Sequence, residues 1–324
     1  MKAVRLHKYG GPEVLVYEEV EKPTPGAKQV LVRVHAASVN QIDVAVREDR
    51  FPTPKQPPKI IGSDGAGIVE AVGAEVVGTR PGDEVFFTGL GIGSEGSYAE
   101  YVLLAQEQAV AKPESLSFIE SAAMGLVFPT AYYGLVERAH VADGDTVLVQ
   151  GAAGGVGSAA VQIAKALEAR VLAVVGDEAG AELALKLGAE TAINRKRENL
   201  PERVKELTQN RGVDVIIELV ASANLATDIG LIAKGGRIVC IGQGPDAEAA
   251  VPIGSAIGLD ASLLFMSVNN AGRAGVARIM GEIANLVDRG LVAPVIGKEL
   301  PLAEARRGHE LLAGPHLGKI VLVP

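Results

Sequence analysis

Residues 144–165, Gly-Asp-Thr-Val-Leu-Val-Gln-Gly-Ala-Ala-Gly-Gly-Val-Gly-Ser-Ala-Ala-Val-Gln-Ile-Ala-Lys, constrain the fold more than any other stretch. Val147, Leu148 and Val149 make a short apolar run that reads as a buried strand. Glycines follow at Gly151, Gly154, Gly155 and Gly157, and then Val156, Ala160, Ile163, Ala164 and Leu167 recur at helical spacing. The order is strand, tight glycine turn, helix. A helix N-terminus offers unpaired N–H groups and the positive end of its dipole to an anion. Glycines let the backbone approach a pyrophosphate and let the helix pack on the strand. Ala153, Gly154, Gly155, Val156 and Gly157 are therefore candidate cofactor-binding residues. The alternative is a glycine turn with no ligand.

The rest of the chain has two textures. Up to about residue 110 it reads as mostly β, with Val4/Leu6, Val14/Val16, Val30/Val32/Val34 and Ile68/Val69/Val72 set between Gly/Pro punctuation. Pro52, Pro54, Pro57 and Pro58 mark an irregular loop. From Ser117 the pattern alternates. It predicts helix 118–138, strand 146–150, helix 156–168, strand 170–175, helix 179–187, strand 191–193, helix 201–209, and strands 213–219 and 236–241. A last strand over 262–268, a helix over 274–289 and a strand over 319–323 follow. Alternating strands and helices imply an α/β chain with a doubly wound parallel sheet.

Composition narrows the function. The 324 residues carry a net charge of −8, which argues against nucleic acid as a partner because phosphate binding needs a basic face. No apolar run is long enough for a membrane span. The N-terminus lacks the basic-then-apolar layout of a signal peptide, so a cytoplasmic location is the default expectation. A single cysteine, Cys240, excludes an internal disulfide and any multi-cysteine zinc site.

Gly144-Asp145, Leu148, Ala152-Ala153-Gly154-Gly155, Gly157, Gln162 and Lys165 match in order and spacing the signature of the quinone oxidoreductase/zeta-crystallin family. That family is the zinc-free branch of the medium-chain dehydrogenase/reductases. Further landmarks are Tyr9-Gly10-Gly11-Pro12-Glu13-Val14-Leu15, Val39-Asn40, Gly62-Ser63-Asp64, Gly96-Ser97-Tyr98-Ala99-Glu100-Tyr101, Thr130-Ala131-Tyr132, Gly235-Gly236-Arg237 and Gly318-Lys319-Ile320. Ala152 stands where the usual dinucleotide fingerprint has its first glycine, a departure typical of the branch. The resemblance implies a GroES-like catalytic domain over 1–123 and 269–324, and a Rossmann dinucleotide-binding domain over 124–268.

The zinc-dependent cousins carry a cysteine near position 40 and a Gly-His-Glu near 62–64. Those places here hold Asn40 and Gly62-Ser63-Asp64, and the five histidines (His7, His35, His140, His309, His316) lack ligand spacing. The expectation is a site without metal. Alcohol oxidation then lacks its Lewis acid, and hydride transfer from a reduced nicotinamide to a quinone or an α,β-unsaturated carbonyl is favoured, with water able to deliver the proton.

By resemblance Asn40 and Asp43 sit at the nicotinamide-facing cleft, and Thr130 matches a threonine that faces the nicotinamide. These three are the candidate catalytic residues. The alternatives are helix-capping turn residues and a structural hydroxyl. The family often has a tyrosine where this chain has Ala45, which implies a roomier substrate pocket. Tyr98 either helps fill that pocket or is a core tyrosine. Gly242 lies at the sheet's carboxyl edge, where a cofactor is met, and Phe265, Met266 and Ser267 are nicotinamide-side candidates by resemblance. No acid ends the second strand. Gly176 leaves room for a 2′-phosphate and Arg195 is placed to pair with it, whereas Asp177 would repel it. NADPH is thus favoured over NADH. Strand 262–268 is apolar and last in its sheet, which, with the family's habit, implies a homodimer paired through it. Rival readings are an enoyl-thioester reductase and a non-catalytic NADPH- or RNA-binding protein of the zeta-crystallin kind.

Overall fold

The computed structural model describes residues 1–324. In chain order the elements begin with β1 (Lys2–Leu6), β2 (Leu15–Glu19), β3 (Gln29–Ser38), α1 (Gln41–Arg47), β4 (Lys59–Ile60), β5 (Asp64–Val72), β6 (Glu84–Phe87), β7 (Tyr101–Ala105), β8 (Val110–Ala111) and α2 (Phe118–Met124). Next come α3 (Val127–Tyr132), β9 (Thr146–Val149), α4 (Gly155–Ala166), β10 (Arg170–Val175), α5 (Glu178–Lys186), β11 (Thr191–Asn194), α6 (Leu200–Leu207), β12 (Val213–Glu218), α7 (Ala221–Ile229), β13 (Ile232–Cys240), α8 (Ile253–Gly258) and β14 (Ser262–Phe265). The chain closes with α9 (Gly272–Asp288), β15 (Ile296–Pro301), α10 (Ala305–Leu312) and β16 (Lys319–Val323). It divides into two compact units, Met1–Pro129 with Ala271–Pro324, and Thr130–Asn270.

The second unit is a six-stranded sheet in the order β11-β10-β9-β12-β13-β14, parallel throughout. Its strands are apolar on both faces because helices cover both: Leu148, Leu172, Ile216 and Ile238 form one core layer with Leu225 and Ile229 of α7. The order reverses between β9 and β12, so the carboxyl ends of these strands are where a doubly wound sheet holds a ligand.

The first unit joins a sheet ordered β15-β16-β3-β5-β6-β8, with β7 also paired to β3, to a smaller sheet ordered β2-β1-β4. The last strand, β16, lies between β15 and β3, so the C-terminal residues complete a sheet begun near residue 30. One core holds Leu6, Val32, Ile61, Tyr98, Leu104 and Leu322.

Two sequence expectations need correcting, and several elements were not expected at all. Helix 118–138 is broken into α2, α3 and a wider π-helical stretch over Tyr133–Arg138. Gly125 packs where a Cβ would lie 2.5 Å from that of Asp64, and Pro129 has no N–H for a helical bond. Strand 262–268 ends at Phe265. Helices α7 and α8 and strand β15 carry too many small, polar or Pro/Gly-flanked residues to show a clear period; α10 does bury one face through Ala305, Gly308, His309 and Leu312, but it is short and was not expected.

Candidate active site

In the second unit the glycine turn forms a cradle. Gly151 takes φ +63°, a left-handed conformation that favours glycine. At Gly157 a Cβ would lie 2.2 Å from the Gly151 carbonyl oxygen, so only glycine lets α4 sit down on β9. Gly154 caps α4 with no side-chain partner. The Gly154 N–H donates to Gly151 O at 3.0 Å, and the next bond, from Ser158 N–H, returns to Gly154 O at 2.9 Å. The N–H groups of Gly155, Val156 and Gly157 between them meet no acceptor in the protein. Three unspent donors at the positive end of a helix suit a phosphate. Ala153 is half-buried beside them and packs 3.1 Å from where a Gly180 Cβ would stand.

The neighbouring strand ends supply the rest of this face. Gly242 follows β13 so closely against Leu219 that a Cβ would fall 1.9 Å from its carbonyl oxygen. Gly176 follows β10, and a Cβ there would have only Lys196 Cε at 4.0 Å. The Arg195 N–H donates to Val175 O at 3.0 Å, which holds Arg195 at the end of β10. Arg197 pairs with Glu178, whereas Arg195 and Lys196 are exposed with no carboxylate partner. Asp177 accepts from Gly180 N–H at 2.9 Å and caps α5, so its carboxylate is turned to its own helix. Thr130 lies in α3 and is buried. Phe265 and Ser267 are exposed at the sheet edge, while Met266 is buried.

Behind the cradle sits a pair of carboxyls that the sequence did not signal. Asp228 accepts from Gln150 Nε2 at 3.0 Å, and Glu218 takes donors from Val220 N–H and Asn224 Nδ2. Burial and the adjacent Glu218 push the Asp228 carboxyl far above the usual range. Burial, and then the same two acids, push the Cys240 thiol up to about 12, so it is inert.

In the first unit Asn40, Asp43 and Tyr98 meet in one buried polar cluster. Asp43 accepts the Asn40 N–H at 2.9 Å and so ties the start of α1. The Asn40 side chain is spent elsewhere: Oδ1 accepts from Lys319 Nζ at 2.5 Å, and Nδ2 donates to Ser38 O at 3.2 Å. Asp43 also accepts from Ser63 Oγ at 2.5 Å and from Tyr98 Oη at 3.1 Å. Asp64 accepts from Ser38 Oγ at 2.8 Å and Leu126 N–H at 3.0 Å. Burial, then the nearby Asp64 charge, raises the Asp43 carboxyl to about 7, and burial raises that of Asp64. Burial lowers the Lys319 ammonium and brings His309 down to about 3.

Of the two readings of Tyr98, the core one fits its burial. Its side chain is 0 % exposed, with Gly62 at φ +107° making room for the ring, so it is a core tyrosine and lines no open pocket. Ala45 is half-buried on α1. Ser38, Arg47, Ser63, His309 and Lys319 complete the cluster, yet no local spacing joins residues so far apart in sequence. The one available signal was the landmark status of Gly62-Ser63-Asp64 and Gly318-Lys319.

Two family models match: a zinc-binding dehydrogenase model over residues 155–283 and an alcohol dehydrogenase GroES-like domain over residues 26–114. A quinone oxidoreductase of Rattus norvegicus is 36% identical, covering 100% of this chain and 98% of its own. Quinone oxidoreductase 1 of Escherichia coli (strain K12) is 30% identical, with 99% of each chain covered. A crystal structure of an Escherichia coli quinone oxidoreductase complexed with NADPH superposes with a TM-score of 0.92 at 30% identity, covering 100% of both chains. One described as an NAD-dependent alcohol dehydrogenase superposes with a TM-score of 0.93 at 36% identity, again over 100% of both. With a parallel Rossmann sheet, a GroES-like unit and full-length similarity to these enzymes, the chain is an oxidoreductase belonging to the quinone oxidoreductase branch of the medium-chain dehydrogenase/reductase superfamily.

Proposed function

We propose that this enzyme is a zinc-independent, NADPH-dependent reductase of quinones or of C=C bonds conjugated to a carbonyl. The observation that carries the reading is what stands where the zinc-dependent cousins place ligands. Asn40 and Asp64 spend their polar atoms inside the first unit, as Ser63 does on Asp43. No three His, Cys, Asp or Glu side chains group to hold an ion, and a catalytic zinc needs about three such ligands. An acceptor that takes hydride without a Lewis acid is then required, and quinones and enones are of that kind. A bound reduced nicotinamide supplies the hydride.

The cradle fits that cofactor. The N–H groups of Gly155, Val156 and Gly157 would hold the pyrophosphate. Arg195 and Lys196 would hold a 2′-phosphate over Gly176, since their charges are not spent on protein carboxylates. Asn40, Asp43 and Thr130 remain the candidate catalytic residues, Ala45 a candidate for substrate, and Gly242, Phe265 and Ser267 candidates for cofactor. One related enzyme binds NADPH and another is an NAD-dependent alcohol dehydrogenase, so NADH is the competing cofactor.

We also propose a two-fold dimer through β14. This strand is paired only with β13, and Phe265 on it is 63% exposed. Ile253 and Ile257 on α8 are similarly open at 63% and 71%. An unpaired edge with exposed apolar side chains invites a second copy.

The test is steady-state oxidation of NADPH and NADH against a panel of quinones, free enones and enoyl thioesters. The expected result is turnover with quinones or free enones and a lower KM for NADPH. Turnover confined to enoyl thioesters, or to alcohols with NAD, would overturn the reading.

A further inference from the structure

Hydride transfer to a quinone or enone leaves negative charge on an oxygen, and a proton must follow. The buried cluster of the first unit contains a route for it. Arg47 can only donate, and its Nη1 lies 3.1 Å from His309 Nδ1. Nδ1 is therefore the acceptor and the ring proton sits on Nε2. That nitrogen faces Tyr98 Oη at 3.2 Å and donates to it. The phenol proton then points to Asp43 Oδ2 at 3.1 Å. The Asn40 N–H also donates to Oδ2. Oδ2 is thus covered by two donors, and a proton on Asp43 has one place left, Oδ1. The only partner of Oδ1 is Ser63 Oγ at 2.5 Å.

Charge decides whether a proton is there. Two carboxyls, Asp43 and Asp64, share this interior with a single ammonium, Lys319. Asp64 is the better supplied for ionisation, with the Ser38 hydroxyl, the Leu126 N–H and the Lys319 charge. Asp43 feels Asp64 as a like charge. The other buried cation, Arg47, is paired with Glu48, so two buried carboxylates face one unpaired ammonium, which costs several kcal/mol unless one of them is neutralised. Other charged or titratable groups around Asp43 are Tyr98 and, behind it, His309 and Arg47. His309 is held neutral by burial and by Arg47, so it adds no compensating charge.

We propose that Asp43 and Ser63 form the proton-donating pair of this enzyme, with Asp43 as the store and the Ser63 hydroxyl as the exit, a role that rests on the reductase reading above. The Ser63 O–H bond breaks toward the acceptor oxygen, directly or across one water. The Asp43 Oδ1–H bond breaks toward Ser63 Oγ and restores the hydroxyl. Asp43 is left as a carboxylate, stabilised by the Asn40 N–H, the Tyr98 hydroxyl and the Lys319 charge, and solvent returns the proton between turnovers. Hydride and proton together complete the two-electron reduction. Arg47, His309 and Tyr98 are positioning residues, because they close Oδ2 and so give the proton one exit.

The test has a part that needs no turnover. In free protein labelled with 13C at the aspartate carboxyls, Asp43 should titrate near pH 7. An Asp43 signal that titrates in the ordinary range around pH 4 would overturn the store. In turnover with NADPH and a quinone, the wild-type rate should fall as pH rises through about 7. Ser63→Ala should lower kcat by about 10²-fold or more and abolish that limb, with NADPH affinity by nicotinamide fluorescence unchanged. Ser63→Thr, which keeps a hydroxyl, should recover most of the rate. If Ser63→Ala fails to fold, the near-isosteric Asp43→Asn should show the same lost limb. Wild-type kcat and pH profile in Ser63→Ala or Asp43→Asn would sink the proposal. A wild-type enzyme that reduces no quinone or enone, with Asp43 still titrating near pH 7, would instead count against the substrate reading.

Discussion

The two units handle polar groups in opposite ways. In the Rossmann unit the site is made by leaving backbone donors unspent: Gly155, Val156 and Gly157 keep their N–H groups free at a helix start. In the GroES-like unit one buried cluster spends its polar atoms on itself, through bonds that join Asn40, Asp43, Ser63, Tyr98, His309, Arg47 and Lys319. The first arrangement suits grip on a charged ligand, because any phosphate completes the donors. The second suits control of protonation, because a closed network fixes which atom exchanges a proton. Binding should accordingly fail through lesions in the first and chemistry through lesions in the second.

The largest effect is expected from Gly155→Asp. An acid in the first turn of α4 favours the helix dipole, so the fold should persist. The carboxylate would stand where the pyrophosphate belongs and repel it. NADPH titration followed by nicotinamide fluorescence should show binding lost, by about 10²-fold or more on the scale of a removed charged contact. Binding at wild-type strength would show that the turn is not the phosphate site.

Arg195→Ala comes next. Loss of a charge-assisted contact at an exposed position should cost NADPH about 1.5 kcal/mol, roughly tenfold in Kd, with NADH little changed. Equal losses for both cofactors would mean that Arg195 does not read the 2′-phosphate.

Much of the Rossmann unit was legible in the sequence because its signals are local. The run Val147–Val149 and the glycines that follow carry strand, turn and helix start within a dozen residues. Strand β10 was read with both ends in place, and the edge position of the last strand followed from its order. The long helix over 118–138 was misread because Gly125 and Pro129 break it against tertiary neighbours that periodicity does not show. The chemistry of the GroES-like unit was largely hidden. His309 and Lys319 reach Tyr98 and Asn40 across more than two hundred residues, and no spacing rule joins such pairs. Tyr98 in a glycine-rich segment left pocket and core equally open, and only the fold shows that Gly62 makes room to bury it.

Leu264→Lys tests the unpaired edge of β14. A lysine on the pairing strand should shift a dimer toward monomer in light scattering, by about tenfold or more in dissociation constant on the cost of a misplaced charge. A wild type that is monomeric at micromolar concentration would exclude this assembly.

The smallest effect is expected at Asp228. Its folded carboxyl holds a proton far above the ordinary range, because it is buried against Glu218. Below about pH 4 both folded and unfolded states carry that proton. As pH rises above that, the unfolded chain releases it first, so stability is progressively lost toward alkaline pH. Asp228→Asn keeps the shape and removes the titration. Thermal melts should show the variant gaining on the wild type as pH rises, about 2–4 °C for each kcal/mol regained, and no gain near pH 4. A gain that does not grow with pH would show that burial against Glu218 does not hold the proton on Asp228.

Hydride transfer without a metal is tested by the zinc content of the enzyme and its bearing on rate. The purified enzyme is dialysed against a strong chelator, its zinc content is determined, and NADPH oxidation by a quinone is followed before and after. The expected result is no stoichiometric zinc at either stage and an unchanged rate. Zinc bound at one ion per chain, with activity falling on its removal and returning on its addition, would contradict it.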